Sequence, residues 1–380
     1  MRFVLIGPVF PFRGGIAHYT TMLYRALKAC GYDVLLISFS RQYPDRLFPG
    51  SSDRDPSGSR LGIDEAQFWI DSMNPLTWLK SFVEIRRYKP DRIILQWWSA
   101  FWTLPWVALG LLNALFLRCP IVHICHNVVP HELHWYDTVA ARFGLMWADS
   151  YILHSESERK QLVALFGGGR TLVRPIPVYD FLAADRLPRR EARERLGLAE
   201  NGPVLLFFGF IRAYKGLEDL IMAMPIVRVS EPDVILLIAG EFWEDKRDYQ
   251  CLIDSLDLGT AVLIDDRYIP NEDVAVYFSA ADILAAPYRS VTGSAVVQMG
   301  RGFGLPIVTT RVGSMSEIAE QDPAVNLADP HDPQSLAEAV LVCLRNTRGF
   351  VRAAISPASG CAAQTMSVEW TNLARDLAEL

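Results

Sequence analysis

No C-x-x-C pair occurs in this sequence, and its six cysteines (Cys30, Cys119, Cys125, Cys251, Cys343 and Cys361) are scattered singly. That spacing excludes a disulfide scaffold or zinc ribbon and favours a reducing compartment. Positive charge is also short: 37 Lys and Arg against 43 Asp and Glu leave a formal net charge of −6. A general nucleic-acid binder held by phosphate contacts is thereby excluded. Low-complexity tracts and internal repeats are missing. With 51% apolar and 21% charged residues, the 380 residues can bury large cores, which excludes global disorder, and their number predicts two or three domains. The opening MRFVLIGPVF lacks the cleavage site of a secretory signal and breaks at Gly7-Pro8, so it reads as a buried strand. The stretch from Ile93 to Leu117 carries no charge and is long enough to span a bilayer. Gln96, Ser99, Thr103, Pro105 and Asn113 argue instead for a buried strand (93–97), a Trp-rich loop and a helix (106–117).

What is present is alternation. Short apolar runs at 3–6, 34–39, 92–97, 121–125 and 150–154 are interleaved with helical patterns, the mark of βαβ units on a parallel sheet. The polar segment 41–59 reads as a surface excursion. A second series follows the proline-marked stretch 175–203, with strands at 204–208, 234–239, 261–264, 283–286 and 307–310. Its charged helix RREARERLGL has the composition of a solvated face. Two doubly wound α/β domains result, and ligands in such sheets bind beyond the carboxyl ends of the strands.

Four loops there can carry chemistry. Gly14 and Gly15 precede a helix whose free N–H groups can meet an anion, or simply make a tight turn. Arg212 and Lys215 flank another helix start as an anion clamp, the alternative being two surface cations. Thr292, Gly293 and Ser294 can hold a phosphate or sugar oxygen, or cap a helix. The segment HICHNVVPHELHW contains His123, His126, His131 and His134. The last two are three apart and do not make the H-E-x-x-H zinc motif. His123 reads as core, and His126, beyond the strand's end, as a substrate contact in preference to a metal ligand. Asp53-Arg54-Asp55 matches D-x-D, a metal-holding spacing, but no strand precedes it, which makes chance the better account.

In their order along the chain, GPVFPFRGGIAHYT, FFGFIRAYKG, RYIPNEDVAVYFSAADILAAPYRS and GFGLPIVTTRVGSMSEI resemble the retaining GT-B glycosyltransferases of family 4. The resemblance implies two Rossmann-like domains facing each other across a cleft. It divides the chain into an acceptor-side domain (1–180), a nucleotide-sugar-binding domain (181–355) and a C-terminal helical segment (356–380) packing back on the first domain. It implies a hexosyltransferase moving sugar from a nucleotide-diphosphate donor to a glycan or lipid-linked acceptor, in surface polysaccharide or glycolipid synthesis. Gly14 and Gly15 would approach the donor sugar and phosphate, and Arg212 and Lys215 would bind the diphosphate. Tyr268 and Ile269 would border the base, and His126 would lie near the transferred sugar. No metal or other cofactor is expected beyond the donor as co-substrate.

One departure stands out. The family often carries two glutamates with seven residues between them; here those positions hold Val291 and Met299, or Ser290 and Gln298 in the adjacent register. Thr292-Gly293-Ser294 is the expected replacement. A non-catalytic nucleotide-binding subunit and a nucleotide-sugar 2-epimerase remain the alternatives. The expected location is cytoplasmic, with peripheral contact at the inner membrane face through QWWSAFWTLPW; the other reading of those rings is core and cleft lining.

Overall fold

The computed structural model describes residues 1–44, 50, 52–129, 136–349 and 367–380. The chain forms two compact units, one of Met1–Ile176 with Ser367–Leu380, the other of Pro177–Met366.

The first unit opens with β1 (Arg2–Ile6), α1 (Gly15–Ala29), β2 (Asp33–Arg41), β3 (Gln67–Asp71) and α2 (Pro75–Tyr88). It continues through β4 (Arg92–Trp97), α3 (Thr103–Phe116), β5 (Ile121–Cys125), α4 (Asp137–Leu145), β6 (Ser150–Leu153), α5 (Glu156–Phe166) and β7 (Arg170–Val173). All seven strands are parallel, in the order β3-β2-β1-β4-β5-β6-β7. Local chemistry starts the helices: Asn74 accepts from Leu76 N–H ahead of Pro75, and Ser155 accepts from Glu158 N–H.

The second unit contains α6 (Arg189–Arg195), β8 (Val204–Phe208), α7 (Leu217–Ser230), β9 (Ile235–Ala239), α8 (Lys246–Ser255) and β10 (Val262–Asp265). After these come α9 (Asn271–Ala280), β11 (Ile283–Ala286), α10 (Ala295–Gly302), β12 (Ile307–Thr310), α11 (Met315–Gln321), β13 (Val325–Ala328) and α12 (Pro333–Gly349). Its sheet runs β10-β9-β8-β11-β12-β13. The last helix, α13 (Val368–Glu379), packs on α1 of the first unit. There Trp370 is buried against Tyr19, with ring centroids 5.1 Å apart, and Asp376 pairs with Arg174 at 2.6 Å.

Three strands escape the sequence reading: β3, β7 and β13. Each is the edge of its sheet, so one side meets water and the residues do not form an apolar run. Charged α6 needs a correction. Its Arg193 does not face solvent; it is buried, ion-paired to Asp282 at 2.6 Å and donating to the carbonyls of Ala280 and Gly202.

The Trp-rich segment is corrected more sharply. Trp97, Trp102 and Trp106 are fully buried. Trp102 stacks on Trp106 at 5.3 Å and lies 4.2 Å from the Phe39 ring, while half-buried Trp98 donates to the Tyr43 hydroxyl at 2.7 Å. Trp97, Trp102 and Trp106 are core, while Trp98 and Phe101 are half-buried. Among the described residues no helix is long and apolar enough to cross a membrane.

Candidate functional site

In the second unit the chain beyond β8 runs beside the chain beyond β9. Ile211 and Phe242 form a parallel bridge, and Trp243 N–H donates to the Ile211 carbonyl at 3.1 Å. The pairing holds the Arg212 guanidinium 5.2 Å from the Tyr214 ring and 5.6 Å from the Trp243 ring. Phe210 stacks near Trp243 at 4.4 Å and near Tyr268 at 6.0 Å. Arg212 and Tyr268 thus share a wall with two aromatics that sequence reasoning passed over. The available signal was an aromatic directly after the strand-ending glycine and another in the equivalent loop of the next strand. Ile269, beside Tyr268, is buried.

Lys215 is the unusual cation. Its side chain is buried, and a Cβ on Gly209 would lie 2.9 Å from its Nζ, so the ammonium sits directly over bare backbone at the end of β8. No ion pair or hydrogen bond of its Nζ is found among the described residues. Burial first, and nearby Arg212 second, push its pKa down to about 7. Gly216, in the left-handed region at φ 71°, caps α7; a Cβ there would lie 1.9 Å from the Pro287 carbonyl oxygen. Substitution at Gly216 would therefore shift the loop carrying Lys215.

Thr292, Gly293 and Ser294 lie in the next loop. Ser294 caps α10, accepting from Val297 N–H at 3.1 Å, and its hydroxyl is bonded to the Tyr288 hydroxyl at 2.6 Å. Thr292 is buried beside it. Val291 and Met299 are buried apolar residues, and Gln298 is buried with its amide oxygen accepting from Arg301. The hollow of about 460 Å³ lined by Asn201, Val204, Pro232 and Thr260 opens at the amino ends of the strands, away from all of these.

In the first unit Gly14, with φ 105°, caps α1 and Gly15 begins it. The loop before them pairs with the excursion: Phe12 bridges Arg54, and Asp55 N–H donates to the Pro11 carbonyl. Asp53 is ion-paired to Arg54 at 3.5 Å and Asp55 is buried, accepting from Ser57 N–H, so D-x-D here staples a loop. His126 follows β5; its Nε2 lies 2.6 Å from Gln96 Oε1 and its ring meets Tyr19 edge-on at 4.8 Å. Burial, then His154 beside it, hold its pKa well below the usual imidazole range, so the ring is neutral and Nε2–H donates to Gln96. His154 donates from Nδ1 to the Arg174 carbonyl at 2.9 Å and is pushed down to about 4, mainly by burial. His123 is core as expected, pushed down to about 3 by burial, and neither ring nitrogen finds a partner among the described residues. His131, His134 and Cys361 lie outside the described residues.

The family model "Glycosyl transferases group 1" matches residues 188–355, and "Glycosyl transferase 4-like domain" matches 14–178. The chain belongs to the family 4 glycosyltransferases, whose fold class is GT-B. It is 28% identical to D-inositol 3-phosphate glycosyltransferase 1 of Catenulispora acidiphila over 51% of this chain and 48% of that one. Against the GDP-mannose-dependent alpha-(1-6)-phosphatidylinositol monomannoside mannosyltransferase of Mycolicibacterium smegmatis it is 28% identical, over 72% of this chain and 73% of that one. The matches to D-inositol 3-phosphate glycosyltransferases span about half of those proteins' length. In fold it is similar to sucrose-phosphate synthase of Thermosynechococcus elongatus (TM-score 0.68, 20% identity, covering 99% of this chain and 94% of that one). HepE of Anabaena in complex with UDP is likewise similar (TM-score 0.68, 18% identity, 99% and 95%).

Proposed function

We propose that this protein transfers a hexose-type sugar from a nucleotide-diphosphate donor to a glycan or lipid-linked acceptor, with retention at the anomeric carbon. The observation that carries the reading is Lys215: a buried ammonium over Gly209, beside Arg212, at the carboxyl end of a central strand. A buried cation without a carboxylate is costly unless an anion arrives to meet it. A diphosphate fits, with Arg212 offering a planar fork and Lys215 a point charge. The relatives named above support sugar transfer, one through GDP-mannose, and the HepE structure holds UDP.

In this reading the base lies by Tyr268 and Ile269, against the wall that Phe210 and Trp243 complete. Gly14 and Gly15 bring the amide end of α1 to the donor, and Thr292 and Gly293 offer polar contacts where Ser294 is committed to its cap. His126, neutral and oriented by Gln96, serves the transferred sugar as a hydrogen-bonding group. The acceptor hydroxyl attacks the anomeric carbon on the face that the diphosphate leaves. The carbon–oxygen bond to the β-phosphate breaks as the new one forms, and the acceptor's proton passes to a β-phosphate oxygen. Val291 and Met299 offer no carboxylate, so a glycosyl-enzyme ester has no nucleophile there. Lys215 and Arg212 stabilise the charge that develops on the leaving group.

Thermal unfolding with UDP, GDP, dTDP and their sugars tests this. One of these should raise stability by about 2.7 kcal/mol at a hundred times its Kd. Arg212→Ala should weaken that ligand roughly tenfold or more, as loss of a charge-assisted contact does, without lowering the ligand-free midpoint. Unchanged affinity would remove Arg212 from the site. Transfer should survive EDTA; full loss on chelation, restored by manganese or magnesium, would move the phosphate charge onto a metal. Binding without transfer to any acceptor would favour a non-catalytic subunit, and release of epimerised sugar without acceptor the epimerase.

A further inference from the structure

The steps β3→α2→β4, β4→α3→β5 and β5→α4→β6 all run in one direction across the first sheet. Right-handed crossovers therefore place α2, α3 and α4 on the same face, and α3 packs against both others. Each buries one stripe on the sheet, through Trp78 and Phe82, Trp106 and Leu109, and Ala141 and Leu145.

A helix in this position ordinarily turns charge to water. These three do not. On α2, Leu76, Leu79 and Val83 lie outward at i, i+3 and i+7, with Leu76 66% exposed. On α3, Leu104, Leu111 and Leu115 continue the surface, and no charged residue occurs from Thr103 to Leu117. On α4 and its cap, Val139, Phe143 and Met146 extend it. Single exposed apolar residues need no explanation; three adjoining stripes do. Exposed cations lie on or beside the same helices: Lys80, Arg86 and Arg87 on α2, Arg118 after α3 and Arg142 on α4. Of the carboxylates on these helices, Glu84 is tied to Arg87 at 2.6 Å and Asp137 is buried. In a chain of net charge −6, this face is locally positive and apolar together.

We propose that the outer face of the α2–α3–α4 layer docks on the surface of an anionic lipid bilayer. Leucine and phenylalanine side chains enter the headgroup–acyl boundary while the Lys and Arg stems lie along it and keep their charges at the phosphates. Complementarity of these exposed cations to an anionic plane selects this occupant over a second protein. From the tryptophan segment this surface takes the exposed Leu104, not the buried rings of Trp97, Trp102 and Trp106. The three helices begin at the carboxyl ends of the strands, the side that carries Gly14 and His126, so a docked face brings the bilayer to the edge of that unit's functional loops.

Co-sedimentation of the full chain with vesicles tests the proposal and needs no nucleotide or acceptor. The wild type should pellet with vesicles of phosphatidylglycerol and phosphatidylcholine in equal amounts, and much less with phosphatidylcholine alone. The combined variant Leu104→Glu, Leu111→Glu and Phe143→Glu should bind at least tenfold more weakly. Lys80→Glu with Arg118→Glu should lose roughly fivefold or more per cation. Both variants should keep the wild-type unfolding midpoint and nucleotide response. The proposal is overturned if the wild type stays in the supernatant with anionic vesicles, or if the variants pellet as it does. It is also overturned if the wild type is a dimer that the apolar variant makes monomeric without any vesicle binding, since a second copy then covers the face.

Discussion

Lys215→Met should bind nucleoside diphosphates roughly 10- to 100-fold more weakly than the wild type and yet be the more stable protein. Both effects have one cause. The lysine's pKa of about 7 in the fold, against 10.5 when unburied, means that the fold disfavours its charge. Replacing a buried charge with an apolar side chain of similar length removes that cost, for a gain of about 1–4 kcal/mol. The sign of the pH dependence follows. Below pH 7 both the unfolded chain and most of the folded one are protonated, about half of the folded one at pH 7 itself, and the cost of the buried charge is largely present. Between 7 and 10.5 the unfolded state holds more protons than the folded one, so the wild type gains stability with rising pH. The advantage of Lys215→Met should therefore be largest near and below pH 7 and fade towards pH 10.5. Ligand binding runs the other way: a diphosphate favours the protonated amine, so wild-type affinity should fall above pH 7, by at most about tenfold per pH unit. Denaturant melts and calorimetric titrations across pH 6–10 read both. A variant that is less stable at every pH would show the ammonium to be a structural tie.

Trp102→Ala should destabilise the first unit by about 3–5 kcal/mol, lowering its unfolding midpoint by about 10 °C. Trp102 has no exposed surface and touches Trp106, Trp98, Phe101 and Phe39, so its removal opens a cavity that four rings cannot close. Leu104→Gln, two residues on and 70% exposed, should change stability by no more than about 0.5 kcal/mol. Differential scanning calorimetry distinguishes the two. A Trp102 variant as stable as Leu104→Gln would mean that the ring is not packed as described.

Much of this molecule was legible from its residues. The central strands of both sheets are continuous apolar runs because both faces are covered by helices, and continuous runs can be counted along a chain. The glycines and cations after those strands marked the loops at the carboxyl ends, since a strand followed by Gly and a helix start leaves few other places for a ligand. Edge strands such as Arg170–Val173 escaped, because water on one side leaves their side chains free to be polar. Arg193 escaped because burial of a guanidinium depends on Asp282, 89 residues away.

The sequence by itself determined the α/β class, the two sheet series and the positions of the anion-facing loops, all of which rest on short-range periodicity and on residues that punctuate the backbone. Tertiary structure alone decided which apolar residues are inside. Tryptophans that look made for a bilayer pack against Phe39 from another strand, while leucines that look like ordinary helix core point outward from α2 and α3. It also decided that Lys215 lies over Gly209 with its charge suppressed. Burial and the local dielectric are properties of neighbours brought together by the sheet, and no residue carries them along the chain.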